Sequence, residues 1–121
     1  MNDDSAYGGI VSADPLSEVR FVRSYIQLVF WPHTLSLYPR LQVAVNGRVL
    51  GITDVGFYDN ICQLIGQKMV GVERDPGVQL SFAFSGGTKL LISLRREHAV
   101  GEEIAMLVDD QGGLMVERYG D

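Results

Sequence analysis

Two runs of alternating apolar residues flank the paired glycine Gly86-Gly87, and their spacing restricts how this chain can fold. A loop of two glycines would place the two apolar rows on opposite faces of a hairpin. A three-residue loop from Ser85 to Gly87 aligns the rows on one face, and Gly87 can adopt the left-handed conformation that this loop needs. The pattern therefore predicts an antiparallel hairpin with four cross-strand pairs: Phe84 with Thr88, Phe82 with Leu90, Leu80 with Ile92, and Val78 with Leu94.

The same glycines do not match a phosphate-binding loop. Such a loop requires a helix to begin directly after the glycine-rich turn, so that backbone N–H groups at the start of the helix face the phosphate. Here the alternating pattern continues from Thr88 to Leu94. The glycine pair is therefore explained by the register of the hairpin.

Turn residues separate further strand patterns along the chain. Residues 25–31 alternate as one strand, and residues 34–39 form a short second one. Asn46-Gly47 suits a two-residue type I′ turn, and Asp75-Pro76-Gly77 predicts another hairpin. A last hairpin is expected around residues 109–113. The Asn46-Gly47 turn would give three pairs: Val45 with Arg48, Val43 with Leu50, and Leu41 with Ile52.

The apolar period changes from two to the helical value after the Asn46-Gly47 hairpin. Thr53 or Asp54 can cap the start of a helix, and Gly66 can end it in the left-handed conformation. The spacing predicts a helix of about three turns. Its apolar stripe consists of Phe57, Ile61, Leu64 and Ile65.

These elements predict an α+β fold. We expect a curved, mainly antiparallel β-sheet of about seven to nine strands, with one α-helix at about residues 55–65 packed on one face. Residues 1–19 are rich in Gly, Ser and Asp, lack a sustained period, and are expected to form a flexible leader. Residues 20–121 are expected to form a single α+β domain.

Composition and charge restrict the classes of function. The net charge is −5, yet bases outnumber acids nine to four between Arg20 and Arg96, so the middle is basic and both ends are acidic. The single cysteine, Cys62, excludes an internal disulfide and is typical of a reducing compartment. Neither a signal peptide nor an apolar run of about 18 residues occurs. We therefore expect a cytoplasmic protein with no membrane partner, and the lack of a Lys-rich or RNP-like stretch argues against nucleic-acid binding.

No motif predicts catalysis, a cofactor or a metal site. No close ligand pair accompanies His33 or His98, and no serine lies in a GxSxG motif. Cys62 lies among apolar neighbours on the predicted helix, as a small hydrophobic residue does. An alternative remains open: a small enzyme or small-ligand binder with a pocket between the sheet and the helix. Its residues would be Tyr25, His33, Tyr58 and Cys62.

Three segments resemble a group of small bacterial proteins of unknown function. They are the strand YIQLVF at Tyr25, the block VNGRVLGITDVGFYDNICQLIGQKMVGVER, and the hairpin LSFAFSGGTKLLISLR before GGLMVER. The resemblance covers nearly all of the chain after residue 19, and its motifs are turns and core positions. It therefore implies strand-hairpin-helix-strand order and carries over no catalytic residue.

Some single-domain bacterial proteins of this general build are immunity proteins, which neutralise a toxin. By this analogy the chain is a non-catalytic protein-interaction module of a bacterial conflict system, and its acidic loops would suit a basic toxin. A homodimer, formed through the apolar second face of the strand from Tyr25 to Trp31, is a further expectation. The expected contact residues for a protein partner are Glu102, Glu103, Asp109 and Asp110.

Overall fold

The alternating segments form ten β-strands, and the helical stripe forms one short α-helix. The computed structural model describes residues 7–11, 13–38, 40–95, 103–109 and 113–118. In chain order the elements are β1 (Glu18–Val22), β2 (Tyr25–Phe30), β3 (His33–Leu37), β4 (Leu41–Val45), β5 (Arg48–Leu50), α1 (Phe57–Cys62), β6 (Met69–Asp75), β7 (Gln79–Phe84), β8 (Lys89–Ser93), β9 (Glu103–Val108) and β10 (Leu114–Arg118).

The strands form two antiparallel sheets of five strands each. The first sheet has the order β1-β2-β3-β9-β10, and the second has the order β5-β4-β8-β7-β6. The chain leaves the first sheet after β3 and returns to it at β9. Each sheet therefore depends on at least one pairing between strands that are distant in sequence: β3 with β9 in the first sheet, and β4 with β8 in the second.

The mainly antiparallel strands and the single helix of the predicted fold are confirmed, whereas the predicted single sheet and the predicted length of the helix are not. The sequence predicts one curved sheet of about seven to nine strands, whereas the described residues form ten strands in two sheets. The helix predicted at about residues 55–65 is shorter, Phe57–Cys62, so the fold is mostly β rather than α+β. Local periodicity identifies strands and turns, but the assignment of a strand to a sheet depends on its distant partners.

One hydrophobic core lies between the two sheets. The rings of Phe30 on β2 and Phe84 on β7 stack with centroids 6.0 Å apart, which joins the two inner faces. On α1, Phe57 and Ile61 are buried in the same core. Other buried core residues are Ile26, Leu28, Leu35 and Leu37 from the first sheet and Val43, Leu80, Phe82, Leu90 and Ile92 from the second.

The register predicted for the Gly86-Gly87 hairpin is confirmed. Phe82 pairs with Leu90, and Leu80 pairs with Ile92. The N–H of Phe84 donates to the carbonyl oxygen of Thr88 at 3.0 Å, and the N–H of Leu94 donates to Val78 at 2.9 Å. Gly87 has φ +96°, the left-handed conformation that the three-residue loop needs.

The Asn46-Gly47 hairpin is confirmed over a shorter length than predicted. Both turn residues have positive φ, 52° and 77°, and Val43 pairs with Leu50. The third predicted pair, Leu41 with Ile52, does not form because β5 ends at Leu50. There the Asp54 carboxylate accepts a hydrogen bond from the N–H of Gly51 at 2.8 Å, and residues 51–54 turn toward the helix.

The start of the helix differs from the prediction, whereas the glycine expected after its end has the predicted conformation. Neither Thr53 nor Asp54 caps its start, because Gly56 occupies that position with φ +94° and no side chain supplies a hydrogen bond there. Gly66, which follows the last turn after the helix, is left-handed as predicted, with φ +94°.

The segment before β1 is packed against the core. Tyr7, Ile10 and Leu16 are buried, although residues 1–19 are predicted to form a flexible leader. Leu16 also exchanges two backbone hydrogen bonds of 2.8 Å with Gly66 and Gln67. The described part of this segment therefore differs from the prediction. Burial of three apolar side chains stabilises its packed position, although the surrounding Gly, Ser and Asp residues are typical of a loop.

A partly buried ion pair joins the edge strands of the two sheets. Glu117 on β10 accepts two hydrogen bonds of 2.7 Å from the guanidinium group of Arg74 on β6. Its Oε1 atom also accepts a hydrogen bond of 2.8 Å from the hydroxyl of Tyr7. The Tyr7 ring packs edge-on against Phe82 in the core. One carboxylate thus links both sheets and the segment that precedes β1.

Leu16→Ala is expected to lower the free energy of unfolding by about 2–4 kcal/mol, because it leaves a cavity in the core. The matched control is Leu114→Ala, which removes the same atoms from a leucine exposed on β10. That control is expected to change the free energy by less than about 0.5 kcal/mol. Urea unfolding measures both values, and equal losses would show that residue 16 is not part of the core.

Glu117→Gln is expected to lower the free energy of unfolding by about 2–3 kcal/mol, since it removes the negative charge that accepts two hydrogen bonds from the Arg74 guanidinium. The value lies below the range for fully buried pairs because Arg74 still reaches water. Glu18→Gln is the control, because the Glu18–Arg20 pair is solvent-exposed, and its urea midpoint should match that of the unmodified protein. A Glu117→Gln midpoint that also stays unchanged would contradict the linking role of this carboxylate.

Candidate functional site

A cleft of about 880 Å³ opens at one end of the two sheets. It lies where β1 turns into β2, where β3 crosses to β4, and where the loop after β5 leads to α1. We call it the aromatic cleft, because five of its lining residues are aromatic: Phe21, Tyr25, Tyr38, Phe57 and Tyr58.

The aromatic rings of the cleft support one another. Phe21 and Phe57 each meet Tyr58 edge-on, with centroids 5.1 Å and 5.0 Å away. Tyr25 and Tyr38, which extend from the ends of β2 and β3, lie 5.5 Å apart with their planes tilted by 43°. Phe21 and Tyr58 remain 43% and 45% exposed. These two rings are therefore held in place yet accessible to a molecule in the cleft.

Two arginines supply the charge of the cleft lining. Arg23 lies in the β1–β2 turn, and Arg40 lies in the crossing from β3 to β4. Within the described ranges neither guanidinium group forms an ion pair or a hydrogen bond, and no Asp or Glu lines the cleft. The lining therefore carries a net positive charge.

Arg40 has an unfavourable backbone conformation. Its φ of +79° lies in the left-handed region, where a residue other than glycine or asparagine is uncommon. The only other described non-glycine residue with positive φ is Asn46, in the type I′ turn where such a φ is expected. The crossing between the sheets thus holds an arginine where glycine would be less strained.

The pKa of the Tyr38 hydroxyl lies above its ordinary value. Burial is the main cause, because it disfavours the charged phenolate, and the nearby groups of Glu103 and Tyr25 raise this pKa further. Tyr38 therefore keeps its proton at neutral pH and can donate a hydrogen bond into the cleft.

The cleft contains two of the four residues predicted for a pocket. Tyr25 and Tyr58 line it, whereas His33 and Cys62 do not. His33 begins β3, at the opposite end of the strand from the cleft, and its ring packs beneath Gly9. The Nδ1 atom of His33 is buried without a hydrogen-bond partner in the described part of the chain. Cys62 is exposed at the end of α1.

Two of the four acidic residues predicted for a protein partner lie within the described residues, and these two are far apart. Glu103 begins β9, and Asp109 follows its end, so the strand separates them by about 20 Å. Glu103 lies close enough to Tyr38 to raise the pKa of its hydroxyl but is not among the residues that line the cleft, whereas Asp109 accepts a hydrogen bond from the N–H of Gly113 in the last turn. Glu102 and Asp110 lie outside the described residues.

Sequence reasoning did not identify Phe21, Tyr38 or Arg40 as site residues. Tyr38 and Arg40 reach the cleft because the chain changes sheets between them, and that crossing is not visible in local periodicity. Phe21 lies on the edge strand β1, and this strand begins within the segment that is predicted to be a flexible leader. The one available signal was the Tyr38-Pro39-Arg40 sequence between two strand patterns, which marks an irregular connection.

Comparison of the chain with family models, with curated proteins and with solved structures found no match. Across residues 7–11, 13–38, 40–95, 103–109 and 113–118, no group of three His, Cys, Asp or Glu side chains is placed to hold a metal ion. The same part of the chain has no helix that is long and apolar enough to cross a membrane.

Glu103→Gln is expected to lower the pKa of Tyr38, because it removes a negative charge that opposes phenolate formation. The pKa should stay above its ordinary value, since burial is the larger cause. Absorbance titration near alkaline pH measures the change, with Tyr38→Phe identifying the relevant transition and Glu73→Gln as an exposed control on β6. An identical Tyr38 titration in the Glu103→Gln variant would contradict this electrostatic contact.

The raised pKa of Tyr38 also makes the stability of the folded chain depend on pH. The pKa of Tyr38 is higher in the folded chain than the ordinary value of 10.0. The resulting stabilisation is therefore present below pH 10 and is lost as the pH rises through the folded-state pKa. Tyr38→Phe should remove this part of the alkaline loss of stability.

Proposed function

We propose that the protein is a binding module without catalysis, and that the aromatic cleft holds a small organic ligand. The volume and the aromatic lining of the cleft are the observations that support this proposal. Its volume of about 880 Å³ lies within the range of small-molecule sites, which are concave, mostly apolar and lined by aromatic rings. The alternative prediction from sequence is also a ligand pocket, between the sheet and the helix, and two of its four residues, Tyr25 and Tyr58, line this cleft.

The arrangement of the rings favours binding. Tyr58 is held between Phe21 and Phe57, so that a ligand need not order a mobile side chain when it stacks on this ring. Tyr25 and Tyr38 add two hydroxyl groups at the other side of the lining. Rings supply apolar area, and hydroxyl groups supply orientation, which is the usual division of roles in a ligand site.

The groups in the lining suit binding better than chemistry. Among the described lining residues there is no imidazole, thiol, carboxylate or lysine amine. The raised pKa of Tyr38 makes its hydroxyl a poor general base at neutral pH. The proposal therefore assigns the cleft a binding role, with Tyr38 as a hydrogen-bond donor.

A second candidate is the immunity-type interaction with a protein, for which exposed apolar residues at the cleft and in the loop before α1 are the supporting observation. Val55 is 94% exposed in the loop before α1, and Ile52 and Val22 are also exposed. Exposed apolar residues that lie together are common in protein-interaction sites. The acidic residues Glu103 and Asp109, with the two outside the described ranges, would then contact a basic partner such as a toxin.

The proposed ligand site is tested with the uncharged dye N-phenyl-1-naphthylamine, whose fluorescence rises in apolar sites. We expect saturable binding to the full chain and a loss of about tenfold in affinity, or ~1.4 kcal/mol, in Tyr58→Ala. Trp31→Ala is the matched control, since Trp31 is 66% exposed in the β2–β3 turn, away from the cleft. Absence of saturable binding, or equal losses in both variants, would contradict the proposal.

The second candidate is tested by charge reversal of Glu102, Glu103, Asp109 and Asp110 to lysine. Tagged protein should capture one stoichiometric protein from a lysate of its source cells, and the reversed variant should lose it because its charges now repel a basic partner. Mass spectrometry identifies and quantifies that protein. Equal capture by both forms would show that these four residues are not the contact site.

The expected homodimer also remains a prediction. The second face of β2 carries half-buried Tyr25, Gln27 and Val29. Sedimentation at tens of micromolar distinguishes a dimer from a monomer, and a monomer would contradict the expectation.

A further inference from the structure

We infer that the ligand of the aromatic cleft is a small organic anion with a planar apolar body. This inference rests on the proposed function and specifies the class of ligand. The body would lie against the rings of Phe21, Tyr25 and Tyr58, and the anionic group would contact Arg23 and Arg40. Three features of the described residues support this inference: the positive charge of the lining, the absence of a described partner for either arginine, and the backbone conformation of Arg40.

The charge of the lining selects an anion. Arg23 and Arg40 are the charged side chains among its described residues, and both are positive. Aromatic faces by themselves attract cations, so a cleft built for a cation would combine such rings with carboxylates. Here two guanidinium groups would repel a cation, whereas each can donate paired hydrogen bonds to a carboxylate or sulfonate.

The two cleft arginines differ from arginines that have structural partners. Arg20 pairs with Glu18 beside it on β1, and Arg74 pairs with the buried Glu117. Such pairs occupy the N–H donors of the guanidinium group. The described structure shows no ion pair or hydrogen bond from either Arg23 or Arg40, so their donors are available to a ligand.

The backbone of Arg40 indicates that the side chain is present for a reason other than stability. At φ +79° glycine would fit with less strain, as it does at Gly56, Gly66 and Gly87. Residues held in sparsely populated conformations occur preferentially at ligand sites, where the strain is maintained by the surrounding structure. An arginine in this conformation positions a guanidinium group at the point where the chain crosses between the sheets.

Two dyes that differ by one anionic group test this inference. They are 8-anilino-1-naphthalenesulfonate and its uncharged counterpart N-phenyl-1-naphthylamine. In fluorescence titrations of the full chain at low salt, we expect the sulfonate to bind at least tenfold more tightly than the neutral dye. Added salt should reduce this difference, because it screens the attraction of exposed charges.

Variants of the two arginines test whether these residues cause the preference for the sulfonate dye. Arg23→Gln with Arg40→Gln should weaken sulfonate binding at least ten times more than it weakens binding of the neutral dye. Arg48→Gln with Lys89→Gln removes the same net charge at the opposite end of the second sheet and should leave both affinities unchanged. Near-ultraviolet circular dichroism verifies that each variant keeps its tertiary packing.

Arg40→Gly distinguishes a binding role from a structural one. A binding role predicts weaker sulfonate binding together with a melting temperature that is equal or higher, because glycine relieves the strained φ. A lower melting temperature together with unchanged sulfonate affinity would overturn the role of Arg40.

The outcomes separate this inference from the proposed function. If the neutral dye binds in the cleft and the sulfonate has no advantage, the anion inference fails and the ligand site stands. If sulfonate affinity falls equally in the cleft variant and in the Arg48/Lys89 control, the effect is one of net charge, and the inference also fails. If neither dye binds, both proposals fail.

Discussion

Burial of one apolar face of each sheet against the other is the constraint on which the structure depends. A sheet of five strands with a single apolar face must cover that face with another layer, and here the two sheets cover each other. The stacked rings of Phe30 and Phe84 join the two layers at the centre of the core. The short helix contributes Phe57 and Ile61 to the same core, but it does not form a layer of its own.

The edges of the two sheets are joined by polar interactions, which require close geometry. Glu117 is buried, and its two oxygens accept three hydrogen bonds from Arg74 and Tyr7. A buried carboxylate is costly unless its lone pairs are occupied, so this arrangement favours one alignment of β10 with β6. Because Tyr7 belongs to the segment before β1, the same carboxylate also ties residues near the start of the chain to its last strand.

The aromatic cleft arises at the end of the structure where the chain changes sheets. Between β3 and β4 the backbone passes through Tyr38 and Arg40, and the left-handed φ of Arg40 allows the change in direction. The rings of β1, β2 and α1 then face this crossing. The cleft therefore combines rigid rings from regular elements with charged side chains from connections, and it is this combination that supports a binding role.

The spacing of residue types along the chain is enough to specify most of its local elements. Glycine at positive φ and the spacing of apolar residues specify the register at Gly86-Gly87 and the turn at Asn46-Gly47, because both depend on residues close together in the chain. Of the four residues that the sequence suggested for a pocket, Tyr25 and Tyr58 line the cleft, whereas His33 and Cys62 do not. The three-dimensional packing adds three features: the strands form two sheets, Tyr7 and Leu16 join the core, and Arg40 lies in the cleft. Those features depend on contacts between segments distant in sequence, and local periodicity carries no information about which distant partner a strand will meet.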